Sequence, residues 1–203
     1  MLVMDKIRDE GLDINTTQIS APNNLSEKFD SHIFHDLEKI ALIDLISVMI
    51  ISGSNDAAYI LACWHSGDES SFIEKMNSKS SQLKLMDTYW ASCSGLTRNS
   101  YTTLNDSLKL MEEFIQRYSE VSSMCKKKQY TYKGSVINNS NSLVYKFDDV
   151  EGVNFSSLKG IGVNLVSNWV RDNKNYISIV LGAANRKECI ELSERIIIES
   201  MNK

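Results

Sequence analysis

The stretch Ile40–Ala58 reads IALIDLISVMIISGSNDAA and carries the clearest pattern in this chain of 203 residues. Its apolar part is too short to span a bilayer, so it predicts a buried helix. We place the start of this helix at Asp36 and its end at Ser52-Gly53-Ser54, where a turn is expected. Asn55 and Asp56 then have side chains that commonly begin a helix. The stretch therefore predicts two consecutive buried helices joined by a tight turn.

Helical spacing also dominates the sequence on either side of this stretch. It predicts a short helix at residues 5–9, followed by a polar loop over residues 15–31. Beyond Ser66-Gly67, Asp68 is expected to cap a third helix, and another is expected from about Thr103 to Tyr118 with Leu104, Leu108 and Met111 on its buried face. These elements predict an all-helical subregion.

The pattern changes to alternation after Lys128. Short strands are predicted on either side of Gly134, and residues 162–170 and 176–183 are expected to form a hairpin. Arg186–Met201 predicts a closing helix that packs on this sheet. The fold class is therefore α+β.

The composition indicates one globular domain over residues 1–203, because 42% of the residues are hydrophobic and 24% are charged. We expect its helical part at about residues 1–125 and its sheet and closing helix at about 126–203. The formal charge is −4, and the longest basic run is Lys126-Lys127-Lys128. So short a run neutralises few phosphates, so no nucleic-acid partner is expected.

The opening residues MLVMDKIRDEG reach acidic side chains too early for a signal peptide. No segment is long and apolar enough to be a transmembrane helix. As given, the chain is therefore expected to carry no export signal and no membrane span.

The candidate metal ligands and thiols favour neither a metal site nor a cofactor. His32 and His35 lie one turn apart with Glu38 after them, yet no further ligand is evident and a solvated helix start is favoured. The cysteines form no C-x-x-C pair, and the default interpretation is that they are buried free thiols, with a bridge between two of them left open. They are Cys63, Cys93, Cys125 and Cys189.

Short matches to one family run in order along nearly the whole chain. Ile40–Ala58 resembles the helix and turn that carry the second motif of the D-alanyl-D-alanine carboxypeptidases, the low-molecular-mass penicillin-binding proteins. The further matches are Phe72-Ile73-Glu74-Lys75-Met76-Asn77, Asp87-Thr88-Tyr89-Trp90, Ser94-Gly95-Leu96, Thr102-Thr103-Leu104-Asn105-Asp106, Tyr130-Thr131-Tyr132-Lys133-Gly134, Asn139-Ser140-Asn141-Ser142-Leu143, Val150-Glu151-Gly152-Val153, Gly162-Val163-Asn164-Leu165-Val166 and Val180-Leu181-Gly182-Ala183.

This resemblance implies a β-lactamase/transpeptidase-like fold, in which an antiparallel sheet packs with helices beside a helical cluster. It also implies acyl transfer, in which the serine of an S-x-x-K motif attacks the D-Ala-D-Ala bond and the lysine takes its proton. In the family that motif and two opening strands precede the helix that begins here near Met1, so both the nucleophile and its lysine are expected to be absent. The three S-x-x-K matches in the chain are interpreted as accidental: Ser81/Lys84, Ser123/Lys126 and Ser156/Lys159.

The second motif of the family is S-x-N, which supplies a proton-shuttling hydroxyl and a substrate-binding amide. The matching residues here are Gly53-Ser54-Asn55, so the asparagine is retained and the serine is not. A one-residue shift that uses Ser52 or Ser54 instead remains an open alternative. Asp56 is interpreted as a helix start.

The third motif of the family is K-T-G on an edge strand, where the lysine and threonine bind the terminal carboxylate of the substrate. The matching residues here are Asn154, Phe155 and Ser156. An amide replaces the cation, a ring replaces a small hydroxyl, and a side chain replaces the glycine that lets the backbone approach. The altered third motif weighs most against activity.

The leading hypothesis is therefore a catalytically inactive carboxypeptidase-like protein or fragment. We expect it to act as a module that binds a peptidoglycan stem peptide, or a protein that supplies the missing strands, and self-association is a further expectation. Its location in the periplasm or cell envelope rests on resemblance alone. The alternative is an active serine-type D-Ala-D-Ala carboxypeptidase whose N-terminal S-x-x-K segment is absent from this chain.

No Ser/His/Asp hydrolase is indicated, because G-x-S-x-G is lacking.

Overall fold

The computed structural model describes residues 1–30, 32–172 and 174–201, with Met201 described by its backbone alone. These residues form an α+β fold, as the sequence predicts, in two compact units that are described separately below. The helices are α1 Leu2–Asp9, α2 Leu25–Lys28, α3 Leu42–Ser52, α4 Asn55–Ser66, α5 Glu69–Gln82, α6 Leu104–Arg117, α7 Ser119–Met124 and α8 Arg186–Met201, with a 3-10 helix at Ser142–Tyr145. The strands are β1 Gln18–Ser20, β2 Lys39–Ala41, β3 Gln129–Tyr132, β4 Ser135–Asn138, β5 Val150–Leu158, β6 Gly162–Arg171 and β7 Lys174–Ala183.

The first unit consists of residues 1–49 and 54–110 and is mainly helical. α4 ends at Gly67, which adopts a positive φ of 90° and donates its N–H to the carbonyl of Cys63 at 2.7 Å. α5 begins after Asp68, whose carboxylate accepts the N–H of Ser71 at 2.9 Å. The predictions of these two helices are confirmed, because local caps define their ends.

The predicted helix start at Asp36 is wrong. The Asp36 carboxylate accepts the backbone N–H groups of Leu25 and Ser26, at 2.8 and 3.3 Å, and so caps α2. α3 begins only at Leu42, directly after β2. The predicted loop over residues 15–31 is also wrong in part, because it contains β1 and α2; its last residue, Ser31, lies outside the described residues.

The predicted buried face of α6 is only partly correct. Met111 is buried, but Leu104 and Leu108 are exposed. Helical spacing alone does not reveal which part of a long helix meets the core, since that depends on packing partners that are distant in sequence.

The second unit consists of residues 50–53 and 111–203 and contains the larger sheet. Its strands are antiparallel in the order β5-β6-β7, and α8 packs against β6 and β7. The predicted hairpin and closing helix are thereby confirmed. The core beneath them comprises Leu143, Val150, Val163, Leu165, Trp169, Val180, Ala183, Cys189 and Ile197.

The start of β5 is fixed by a buried polar cluster. The carboxylate of Glu151 accepts hydrogen bonds from the amide of Asn168 at 2.9 Å and from the hydroxyl of Ser122, and it lies 3.7 Å from the amine of Lys126. A Cβ on Gly152 would come within 2.8 Å of the Cβ of Asn141, so glycine is required by packing. The strand register shifts just after these residues, before Asn154.

Candidate functional site: the second and third motif positions

Gly53 lies at the turn between α3 and α4 and has a φ of +70°, which favours glycine. A Cβ built on it would lie 3.6 Å from the carbonyl oxygen of Phe155 on β5. The backbone of the turn therefore comes close to the third-motif strand at a point where the family has a serine side chain. A serine here would be strained by its backbone conformation rather than by lack of space.

The hydroxyl of Ser54 is engaged in capping α4. It accepts the N–H of Ala57 at 3.2 Å and donates to the carboxylate of Asp56. Asp56 is buried, and its carboxylate also accepts the N–H of Phe34 at 3.1 Å, so it fixes a preceding loop as well as the helix start. A hydroxyl held by two local partners is poorly placed to relay a proton to a substrate.

Asn55 is the first residue of α4 and is partly exposed. Its amide makes no hydrogen bond to any residue that the structure describes. The amide of Asn55 therefore differs from the hydroxyl of Ser54 beside it, which is engaged in the cap of α4.

The three altered positions of the third motif lie next to one another on β5, opposite β6. Asn154 is exposed, and Phe155 and Ser156 are half-buried. The ring of Phe155 packs against the core of the second unit. Asn154 is neutral, so it provides no charge for a carboxylate.

Arg186, the first residue of α8, covers the ring of Phe155, with its guanidinium carbon 4.1 Å from the ring centroid. Its Nη2 also donates to the carbonyl of Ser140 at 2.7 Å, and the N–H of Ser140 donates to the carbonyl of Ile51 at 2.8 Å. These contacts tie β5, α8 and the end of α3 to one another. Sequence reasoning missed Arg186, because no local pattern distinguishes it from other basic residues at helix starts.

Ser156 is accommodated by a polar contact with the neighbouring strand. Its hydroxyl accepts the amide N–H of Asn164 at 3.2 Å, and the Asn164 carbonyl oxygen accepts the N–H of Gly182 at 2.8 Å. The side chain that replaces the third-motif glycine therefore helps to hold β5, β6 and β7 in register.

A cleft of about 540 Å³ lies beside these strands. The β5–β6 turn, the end of β7 and the start of α8 form its walls, and Lys159 and Arg186 contribute cationic groups. Its further lining includes Ser157, Gly160, Gly182 and Asn185.

The three accidental S-x-x-K matches have hydroxyls engaged elsewhere. Ser81 and Ser123 donate to backbone carbonyls within their own helices, at 3.1 and 2.8 Å. Ser156 lies on a strand, where residues three apart do not share a face. The hydroxyls of Ser81 and Ser123 are thus bonded to backbone carbonyls rather than to a lysine amine.

The cysteines and the pair of His32 and His35 form neither a disulfide nor a metal-ligand cluster among the described residues. All four cysteines are free. Burial raises the pKa of each thiol, to about 12 for Cys125, so the reactive thiolate is disfavoured. The rings of His32 and His35 are 6.1 Å apart, and no group of three metal-ligating side chains occurs in the part of the chain that the structure describes.

The architecture just described is that of the penicillin-binding proteins with a β-lactamase/transpeptidase-like fold. Penicillin-binding protein 5 of Haemophilus influenzae superposes on 99% of this chain with a TM-score of 0.91 and 22% identity, and the match covers 60% of that protein. A mutant of the Streptomyces K15 DD-transpeptidase superposes on 100% of this chain with a TM-score of 0.88 and 21% identity, covering 86% of that protein.

The sequence comparisons agree. Residues 1–185 match the D-alanyl-D-alanine carboxypeptidase family, and the chain belongs to this family. The D-alanyl-D-alanine carboxypeptidase DacD of Escherichia coli is 27% identical over 162 residues, which cover 79% of this chain and 42% of DacD. DacF of Bacillus subtilis is 23% identical over 194 residues, covering 93% of this chain and 50% of DacF. The chain thus spans half or less of the length of these relatives.

Within its described residues, no helix is both long and apolar enough to cross a membrane.

Proposed function

We propose that this chain is a D-alanyl-D-alanine carboxypeptidase-like protein that keeps the scaffold of the family without its turnover. It then acts as a module that binds a peptidoglycan stem peptide or a protein partner. The observation that carries this proposal is the third-motif strand, where Asn154, Phe155 and Ser156 stand in place of lysine, threonine and glycine.

The loss of the cation weighs most. A neutral side chain such as Asn154 binds a substrate carboxylate more weakly than a lysine does. Removing one partner of such a charge pair typically costs about 2–5 kcal/mol of binding free energy. Phe155 adds a steric obstacle, because its ring is covered by Arg186. A peptide carboxylate therefore meets neither the charge nor the space that acyl transfer in this family requires.

The proton path is also impaired. Gly53 has no hydroxyl, and the hydroxyl of Ser54 already caps α4. Positioned acid–base groups contribute about a hundredfold to ten-thousandfold to such reactions. Even a bound substrate would therefore turn over slowly.

The alternative is an active serine-type D-Ala-D-Ala carboxypeptidase whose S-x-x-K segment lies outside these 203 residues. The observation that favours it is the coverage of the relatives, since the match accounts for 42% of DacD.

Labelling of the purified chain with a fluorescent penicillin tests the proposal, with E. coli DacD as the positive control. We expect no label that survives denaturation, because the hydroxyls of Ser81, Ser123 and Ser156 are engaged by backbone carbonyls or by Asn164. A labelled band that disappears when one serine, such as Ser81, Ser123 or Ser156, is changed to alanine would overturn it.

A further inference from the structure

Two tyrosines in the first unit form an exposed aromatic surface for which the fold has no evident use. Tyr89 and Tyr101 are 44% and 61% exposed, and their ring centroids are 5.9 Å apart with planes inclined by 30°. Large aromatic side chains usually bury most of their surface, and an exposed pair is typical of a binding surface. We refer to these two residues as the tyrosine pair.

The backbone holds the tyrosine pair in place without burying the rings. The N–H of Tyr89 donates to the carbonyl of Tyr101 at 2.9 Å, and the reciprocal bond is 3.0 Å long. The two residues are thus directly opposite each other in an isolated antiparallel bridge. Side chains on such a pair project to the same side, so the rings are arranged before any ligand arrives.

A buried carboxylate supports this bridge. Asp106 accepts the hydroxyl of Thr88 at 2.9 Å and the N–H of Asp87 at 2.8 Å, and the hydroxyl of Thr88 lies 2.9 Å from that of Thr102. The residue after Tyr89 is Trp90, whose N–H donates to the side-chain carbonyl oxygen of Asn77 at 2.9 Å. The side-chain amide nitrogen of Asn77 donates in turn to the carbonyl of Trp90 at 2.8 Å. The segment that carries Tyr89 is therefore anchored to α5 and α6, and the backbone bridge holds Tyr101 against it.

The side chains that flank the tyrosine pair in sequence are apolar, hydroxylated and acidic, and Asp87 is exposed two residues before Tyr89. Met86 and Leu104, each three residues from one of the tyrosines in sequence, are also exposed, and Thr102 offers a hydroxyl. The buried carboxylate of Asp106 is engaged by Asp87, Thr88 and Lys109. Two exposed rings beside hydrogen-bonding side chains suit a ligand with one apolar face and a hydroxylated edge.

We propose that the tyrosine pair binds a sugar ring of a glycan strand. The C–H face of a pyranose stacks on aromatic rings, and its hydroxyls find partners in the phenol groups and in Thr102. A patch of two rings matches one sugar, whereas a specific protein interface buries about 800 Å² on each partner around a packed centre. The proposal rests on the proposed function, because the stem peptide named there is attached to an amino-sugar polymer.

Saturation-transfer NMR of the purified chain with chitotetraose, a soluble oligomer of N-acetylglucosamine, tests this proposal. We expect transfer to the sugar C–H protons, and Tyr101→Ala should weaken the affinity by about tenfold, equivalent to one stacking contact. Tyr89→Ala should have a similar effect, and Tyr101→Phe should retain most of the binding because the ring remains. Val136→Ala, which shortens an exposed apolar side chain on β4, is the control and should bind as the unmodified chain does.

Absence of transfer at millimolar sugar would overturn the proposal, as would undiminished binding by both alanine variants. Since the rings are exposed, the variants should melt at the temperature of the unmodified chain, which separates lost binding from lost folding. Penicillin labelling is a separate readout. A labelled chain that still binds chitotetraose through Tyr101 would contradict the proposed function alone.

Discussion

The guanidinium carbon of Arg186 lies 4.1 Å from the centroid of the Phe155 ring. We assign Phe155 to the position that the threonine of the third motif occupies in the family. The same guanidinium donates to the carbonyl of Ser140. Phe155 is therefore part of the packing of the second unit.

Arg186→Ala should destabilise the second unit by about 1–2 kcal/mol, because it removes a cation–π contact and a hydrogen bond to Ser140. The measurement is the free energy of unfolding in urea. The matched control is Arg195→Ala on the same helix, where an exposed i,i+4 pair with Glu199 is lost and a change within about 0.5 kcal/mol is expected. Equal effects of the two substitutions would show that the contact with Phe155 is not stabilising.

Stability should fall as the pH is lowered through the range where His65 is protonated. Burial lowers the pKa of His65 below its usual 6.5, and Lys75 and Lys6 lower it further. The unfolded chain then binds the proton more readily than the folded chain, so the free energy of unfolding decreases below about pH 6.5. His65→Gln should reduce this slope between pH 7 and about pH 5.5.

Urea titrations at several pH values provide the measurement for His65. His35→Gln, at an exposed histidine of the same unit, controls for the loss of one histidine. A slope that remains unchanged in His65→Gln would mean that burial does not suppress protonation of this ring.

The sequence predicts those parts of the fold that local signals determine. Ser54, Gly67 and Asp68 define α4 and α5 through caps that involve only nearby residues, and the alternation in β6 and β7 is similarly local. Asp36 misled the prediction, because an acidic residue before an apolar run caps α2 instead of the helix that follows it. That choice depends on a contact 11 residues back along the chain.

The candidate site could be predicted as a set of positions but not as an arrangement. Gly53, Asn55, Asn154, Phe155 and Ser156 follow from the resemblance to the family. The contact between Arg186 of α8 and the ring of Phe155 could not be predicted, because the two residues are distant in sequence and meet only through packing. The engagement of Ser156 by Asn164 across the sheet is a second contact of this kind.

The purified chain should associate with itself as its concentration rises. Among the described residues, β7 pairs with β6 and with no strand on its other edge. An unpaired edge of this length is a template for pairing with another chain, and an added charge is a common protection. Leu181→Lys, at an exposed position of β7, should therefore reduce association, whereas Leu37→Lys in the first unit should not.

Sedimentation over a wide concentration range gives the measurement for this edge. A monomer at every concentration, or equal association of the two lysine variants, would contradict a role for β7.

We expect the residues at the second and third motif positions to prevent turnover even when a nucleophile is present. The direct measurement is release of D-alanine from a short D-Ala-D-Ala peptide by a fusion in which the opening strands and S-x-x-K segment of E. coli DacD precede this chain. We expect no turnover from this fusion, and recovery only when Asn154→Lys, Phe155→Thr, Ser156→Gly and Gly53→Ser are combined, because residues that act as a unit are not additive. The melting temperature is measured for the fusion with and without the four substitutions, to check that both proteins are folded. Turnover by the fusion without the four substitutions would contradict this expectation and identify the chain as part of an active carboxypeptidase.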